Sequence, residues 1–516
     1  MRLCITLFAF AFLVFTSPSH SKLFNHETFT LKNGLTVYVI KNALAPVVNV
    51  SLIYKVGTAD DPRDQHGLSH FLEHMMFKGT KAVPKGELDR LILQQGGIYN
   101  AYTTSDYTCY TTDIVKDQLE LILFIEADRM KNLTFTKADM ESERQVVLEE
   151  RAMRLDNHPF GKAQEIYLRS LYWKHPYGIP PIGYVEHILA YTYESSMLHY
   201  KTYYAPNNAI LIITGDVSVE SVKKLAQQYF EKIPKSEIPP STRQEEPSHE
   251  GTTLYIDHKA SRGKLIAVHM SYLAPNYTGI NNKHVIPGSV LAQILGGNEL
   301  SRLYRNFVEE NHIATSMSAN YEFESLNPKA FNISFTLNEE IDPDAATEKV
   351  LDEIRRLIEK GLSEKELAQA KRDMLASLAF LKDGISQSVA MFSNVVYGIP
   401  PEDLEKWDEK INAVTLEEVL EAAKFLLNQP PSVVLTLYPD TYQKPLIKNS
   451  KRHAVEDDII SPKDTPNSYT SHDKLTEMTF TENSFKGGLN YVRDFFKQLW
   501  IGATERAQYI GSLLKA

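Results

Sequence analysis

Alternation of apolar and polar residues marks strands over Thr28–Ile40, Val47–Val56, Asn100–Thr112 and Ala209–Thr214. Apolar residues at helical period fill 66–78, 85–95, 115–131 and 137–155. Only a short turn segment separates the first two strands, so the pattern predicts that they pair antiparallel. Helices interspersed with hairpin-linked strands predict an α+β fold, an antiparallel sheet packed with helices.

The pattern then repeats. Leu189-Ala190-Tyr191-Thr192-Tyr193-Glu194 runs on to Asn207-Asn208-Ala209-Ile210-Leu211-Ile212. Asn412-Ala413-Val414-Thr415-Leu416-Glu417 runs on to Pro430-Pro431-Ser432-Val433-Val434-Leu435, an offset of 223 residues. In both copies a Thr-x-Glu start precedes a helical pattern, a Pro/Asn turn and a β-branched strand. The expectation is two copies of one α+β domain, over 22–235 and 251–440, joined by a polar, Pro-rich linker over 236–250. Residues 441–483 are polar and charged and read as a flexible extension. Over 484–516, Leu489, Val492, Phe496, Leu499, Trp500, Ala503, Ala507, Ile510 and Leu514 recur at helical spacing. That amphipathic C-terminal helix could dock on a partner, on the chain itself or on a membrane surface.

At the other end, Arg2 precedes an apolar run, Leu3 to Phe15, and the small-x-small sequence Ser19-His20-Ser21. This is the layout of a cleaved signal peptide over 1–21, and the run is short for a bilayer span of about 20 residues. The expectation is a soluble mature chain secreted across the inner membrane, in the periplasm. Cys4 would leave with the leader, so Cys109 stands alone and reads as a small packed side chain. The formal charge of −10 argues against nucleic acid or an anionic membrane as the main partner.

The chemistry lies in His66-Gly67-Leu68-Ser69-His70-Phe71-Leu72-Glu73-His74-Met75-Met76. On a helix, Leu68, Phe71, Leu72, Met75 and Met76 form one stripe, and His70, Glu73 and His74 fall on the opposite face. Imidazoles four apart can grip one metal ion, and the carboxylate beside them is placed to take a proton from an attacking water. His66 is also four residues from His70, but it precedes Gly67 at the predicted helix start, which argues against it as a ligand. A catalytic zinc needs a third protein ligand. Glu143 and Glu150, seven apart, share a face of the later helix, whereas Glu149 points about 100° away from Glu150. From spacing alone such acids are more often solvated surface than ligands.

His70-Phe71-Leu72-Glu73-His74 resembles the inverted H-x-x-E-H motif of the pitrilysin/insulinase-type zinc peptidases, the inverzincins. The spacing from Glu143 to Glu150 is similar to that family's later signature. The resemblance implies one zinc per chain, held by His70, His74 and Glu150. It gives Glu73 the role of general base, and Glu143 that of a neighbouring carboxylate steadying a ligand or the base. Gly96-Gly97-Ile98-Tyr99-Asn100-Ala101-Tyr102-Thr103-Thr104 resembles the family's active-site edge strand, which implies that substrate adds as a further strand at Asn100 and Ala101. His175-Pro176-Tyr177-Gly178 matches the family too, with His175 read as a packed or capping residue.

The resemblance also implies a clam-like chamber made by the two domains, and peptidase action on short or unfolded peptides. The second copy carries no zinc motif; Pro287-Gly288-Ser289-Val290-Leu291-Ala292 stands there instead. Where self-sufficient members carry an arginine and, seven residues on, a tyrosine, this chain has Val308 and Thr315. Arg302, Tyr304 and Arg305 are nearby at the wrong spacing. The chain therefore resembles the zinc-bearing half of a heterodimer whose homologous partner subunit supplies those donors. Its rivals are a non-catalytic core subunit and a peptide-binding subunit of a larger assembly.

Overall fold

The computed structural model describes residues 23–158, 160–249, 251–260 and 265–442. The expected leader over 1–21, the amphipathic helix over 484–516 and all but the first two residues of the extension over 441–483 lie outside the described residues. Among the described residues no helix is long and apolar enough to cross a membrane.

Strands β1 (His26–Thr30), β2 (Thr36–Lys41), β3 (Val47–Tyr54), β4 (Ile98–Thr103), β5 (Thr108–Val115) and β6 (Ala209–Gly215) form a sheet in the order β1-β2-β6-β3-β5-β4. Strands β7 (Leu254–Ala260), β8 (Ala267–Ala274), β9 (Ala314–Tyr321), β10 (Lys329–Leu337) and β11 (Val433–Pro439) form a second, ordered β7-β11-β8-β10-β9. With β1 set aside, the two orders are the same. In each half the last strand enters the middle, parallel to one neighbour and antiparallel to the other. The fold is thus two copies of a mainly antiparallel sheet, each with one parallel pair.

Three strand expectations need correction. Residues 28–40 form the β1–β2 hairpin rather than one strand, because Asn33-Gly34 makes a turn with Gly34 at φ +91°. Residues 100–112 break at Thr104, whose Oγ1 accepts from the amides of Asp106 and Tyr107 and tightens a second hairpin turn. Strands β2 and β3 do not pair with each other, because β6 stands between them. A short connection favours antiparallel pairing only when no later strand claims the space.

The helices that matter below are α1 (Leu68–Met75), α2 (Lys137–Arg151), α3 (Gly161–Leu171), α4 (Val185–Ala190), α5 (Tyr193–Tyr203), α6 (Ile385–Phe392) and α7 (Leu416–Leu427). The patterns at 85–95 and 115–131 fold as Glu87–Gln94 and Leu119–Asn132, and 152–156 continue α2 as a π-helix. The repeated threonines are N-caps in both halves: Thr192 accepts from the Ser195 amide and Thr415 from that of Glu418.

Both faces of the first sheet are buried. Val37, Val39, Val50, Leu52, Leu211 and Ile213 pack with Phe71, Leu72 and Met75 of α1. Ile40, Ile53, Cys109, Ile210 and Ile212 face the second half and join its core. There α6 of the second half lies on β3 and β6, with Phe392 edge-on to Phe24 and Tyr38 at 5.6 and 5.2 Å between ring centroids. Reciprocally, α3 of the first half lies on β7 and β11, and the Tyr167 hydroxyl meets Ser271 Oγ at 2.8 Å. Cys109 is a buried free thiol in this layer, pushed up to about 12 by burial.

Residues 236–249 form neither helix nor strand, yet they are strapped down. Arg243 pairs with Asp60 at 2.7 Å and with Asp106, and Glu246 accepts from the amides of Trp173, Lys174 and His175 at 2.7, 3.0 and 2.8 Å. At the N-terminal edge, Glu405 of the second half accepts from the amides of Phe24 and His26 at 2.7 and 2.9 Å and pairs with His26 Nδ1 at 2.6 Å.

Candidate metal centre

Helix α1 starts at Gly67, whose φ of +94° disfavours any side chain. A Cβ there would also lie 2.6 Å from the Ile182 carbonyl oxygen. The buried Asp61 carboxylate accepts from the Gly67 amide, the Ser69 amide and Ser69 Oγ at 2.7, 3.0 and 2.6 Å. Those bonds satisfy the helix start, which is buried and has no water to do so. Leu68, Phe71, Leu72 and Met75 are at most 1% exposed, so the apolar stripe fixes the rotation of α1. His70, Glu73 and His74 are thereby turned toward α2 and β4.

One ligand atom each from His70, His74 and Glu150 lie within 4.8 Å of one another. Glu150 Oε2 stands 3.6 Å from His70 Nε2 and 3.2 Å from His74 Nε2. It is buried without a well-formed hydrogen bond, as is His70 Nδ1. Ligand atoms that converge in one buried place suit a cation, and two imidazoles with one carboxylate are a donor set suited to zinc. The protonation balance points the same way. Burial opposes it, but Glu143 and Glu150 raise His74 to about 9, so in the absence of a metal the cluster retains a proton. Glu150 is held at about 2 against burial by His74, His70 and Arg154.

Glu143, on the same face of α2, accepts from His74 Nδ1 at 2.9 Å and from Lys78. A carboxylate on Nδ1 leaves Nε2 free as the ligand atom, the usual way an outer group orients a metal-binding imidazole. Burial resists ionisation of Glu143, but the bonds from His74 and Lys78 hold it below the ordinary carboxylate range. Glu149 is exposed and lies outside this cluster. Glu73 is 8% exposed, accepts from Thr103 Oγ1 at 2.5 Å, and is raised by burial.

Thr103 ends β4, the last strand of its sheet, so the base is tethered to an open edge. Asn100 and Ala101 lie on that edge. Asn100 is exposed with Oδ1 accepting from the Ala101 amide at 3.0 Å, and Ala101 is half-buried opposite Tyr110. His66 is buried outside the cluster, beside His187. His175 caps the turn at Pro176–Gly178, its Nδ1 accepting from the Tyr177 amide at 3.1 Å.

Three contributors are not among the expected functional residues: Lys78, Arg154 and Thr103. Arg154 is 58% exposed and reaches Glu150 Oε1 at 2.8 Å. Its spacing of four from Glu150 is a signal that the sequence carries. In the second half, Val308 packs against the core, and Thr315 is exposed on β9 with Oγ1 donating to the Thr336 carbonyl at 3.3 Å. Arg302 pairs with Glu366 at 2.7 Å and Glu353 at 3.7 Å, Arg305 with Glu310 at 3.8 Å, and Tyr304 packs on the core.

Residues 36–180 match the family described as insulinase (peptidase family M16), and residues 190–374 match its second description, the M16 inactive domain. The chain is 30% identical over 370 residues to the zinc protease PqqE of Helicobacter pylori, covering 69% of this chain and 79% of that one. An uncharacterized zinc protease of Rickettsia felis is 27% identical over 410 residues, covering 77% and 94%. Among solved structures, a protease from Helicobacter pylori superposes with a TM-score of 0.74 at 26% identity, covering 80% of this chain and 99% of that one. Pitrilysin superposes with a TM-score of 0.64 at 20% identity over 81% of this chain and 45% of its own length, a likeness of fold.

Proposed function

This chain belongs to the insulinase (M16) family of peptidases, whose relatives above are zinc proteases, and from that premise we propose that it is a zinc endopeptidase using His70, His74 and Glu150 as ligands and Glu73 as general base. The observation that carries the reading is the convergence of three ligand atoms within 4.8 Å, with Glu73 buried beside them. Zinc, when bound, supplies Lewis acidity toward a carbonyl and a lowered water pKa. Glu73 accepts the proton of the attacking water and returns it to the leaving amine. Thr103 holds one oxygen of Glu73 and leaves the other for that transfer. A peptide added along β4 at Asn100 and Ala101 would meet the base through main-chain hydrogen bonds, with loose side-chain preference.

The proposal extends to secretion, a periplasmic location and a homologous partner subunit. Val308 and Thr315 are poor donors for a developing oxyanion, and losing one such donor costs on the order of 10²–10³ in rate. A partner carrying the arginine and tyrosine would restore them.

The test is Glu73→Gln, which keeps the ligand set. Zinc content should stay near one per chain while cleavage of a quenched peptide set falls by about 10²–10⁴. Near-normal cleavage would remove Glu73 from the mechanism. Adding a homologous chain bearing the arginine and tyrosine should raise wild-type activity, and full activity of the lone chain would dismiss the partner. A zinc-loaded chain that binds peptides but never cleaves them, with any partner, would favour the peptide-binding subunit instead.

A further inference from the structure

We propose that His66 and His187 form a second metal site, separate from the first, which takes one borderline divalent cation (Zn²⁺, Ni²⁺ or Cu²⁺) at the base of α1. Neither residue belongs to the cluster of His70, His74 and Glu150. His66 stands just before Gly67 and is 8% exposed, while His187 lies on α4 and is half-buried, reachable from solvent. Their rings are 5.5 Å apart between centroids, against 4.8 Å for His70 and His74. Imidazoles at such spacings can share one ion through bonds of about 2.1 Å.

The unpartnered ring nitrogens are the stronger argument. His66 Nδ1 is buried with no hydrogen-bond partner among the described residues. His187 Nδ1 is also buried and unpartnered. One cation would satisfy both nitrogens. Burial and His187 hold His66 down to about 4, so near neutral pH an ion would not compete with a proton there.

The backbone holds the pair in place. A Cβ on Gly183 would lie 2.0 Å from the His66 carbonyl oxygen, to which the Tyr191 hydroxyl donates at 2.7 Å. Arg151 donates to the Gly183 carbonyl at 2.5 Å, and the Tyr184 ring packs edge-on against His187. No third histidine, cysteine or carboxylate completes a cluster with them among the described residues. The site is thus two imidazoles plus water, weaker than the first and most receptive to Cu²⁺.

The experiment titrates tag-free protein carrying one zinc with Cu²⁺, followed by calorimetry and by electron paramagnetic resonance. One further equivalent should bind, with nitrogen hyperfine structure from two imidazoles. His66→Ala and His187→Ala should each weaken it beyond the roughly 10–100-fold that loss of an outer-shell partner costs. His187→Gln, which keeps side-chain bulk, serves should the alanine variant melt early, and His187 variants should leave the first zinc in place. His74→Ala should retain the Cu²⁺ equivalent even if it loses zinc, so failure at one site is distinguishable from failure at the other. Absence of a further equivalent, a signal from one nitrogen, or binding that survives loss of either histidine would overturn the proposal.

Discussion

Glu143→Gln tests the wiring of the candidate metal centre without touching a proposed ligand. It removes one charge from the row Lys78–Glu143–His74, in which Glu143 is 8% exposed and the Lys78 side chain 15%. A charge-assisted hydrogen bond is worth about 1.5–3 kcal/mol against about 0.5–1.5 for a neutral one. The difference, about 1–2 kcal/mol, falls on the orientation of His74. That corresponds to a loss of about 5- to 30-fold in zinc affinity, toward the lower end of the 10–100-fold expected for outer-shell partners. Glutamine can still accept from Nδ1, so Glu143→Ala should cost more, about 100-fold, and leaves Lys78 without its carboxylate. Competition for zinc against a coloured chelator, with each variant's melting curve recorded, gives both numbers. Affinity of Glu143→Gln within twofold of wild type would refute the idea that this carboxylate orients the ligand. So would an alanine variant that binds zinc better than the glutamine one.

Other outcomes follow from the same geometry. Glu150→Gln should lower zinc occupancy while Glu149→Gln should not, as metal analysis after dialysis would reveal; the reverse result would mean that the α2 register is misread. Gly67→Ala should cost at least about 1–2 kcal/mol in urea denaturation, because its φ is +94° and its Cβ would meet the Ile182 carbonyl; an unchanged midpoint would show that α1 can start elsewhere. Glu405 is held at about 2 by His26 and the amides of Phe24, Asn25 and His26, against burial and below its ordinary 4.5. Its stabilisation is therefore complete above pH 4.5 and lost as pH falls through 2. Glu405→Gln should lower stability at neutral pH by about 1–3 kcal/mol and flatten the acid limb in that window; a wild-type acid slope in the variant would contradict the assignment.

The candidate site was legible where it depends on one helix. Period alone puts His70, Glu73 and His74 opposite Leu68, Phe71 and Leu72, and α1 is buried on that stripe. Choosing Glu150 from its neighbours needed the family resemblance, since an acid on a helix surface says nothing about what lies across from it. Contacts that cross elements left no local trace: Thr103 on Glu73, and Lys78 on Glu143. The repeat was legible because it preserves caps and strand starts. The strand order was not, because alternation assigns a face to each strand but no neighbour. The polar stretch 236–249 reads as loose by composition, yet Arg243 and Glu246 fasten it through partners far away in the chain.

The exchange of α3 and α6 between the halves couples their stabilities. Each sheet presents an apolar face against which the other half packs, so a chain cut after residue 235 would expose Ile40, Ile53, Ile210 and Ile212 to water. Each half alone should then be less stable than in the pair. Unfolding should be a single cooperative event, and damage to the second half should lower the melting point of the first, the candidate site included. Proteolysis within 236–249 would break one covalent connection and leave the clasp intact. The second copy, though it carries no zinc motif, is in this sense part of the scaffold on which His70, His74 and Glu150 are held.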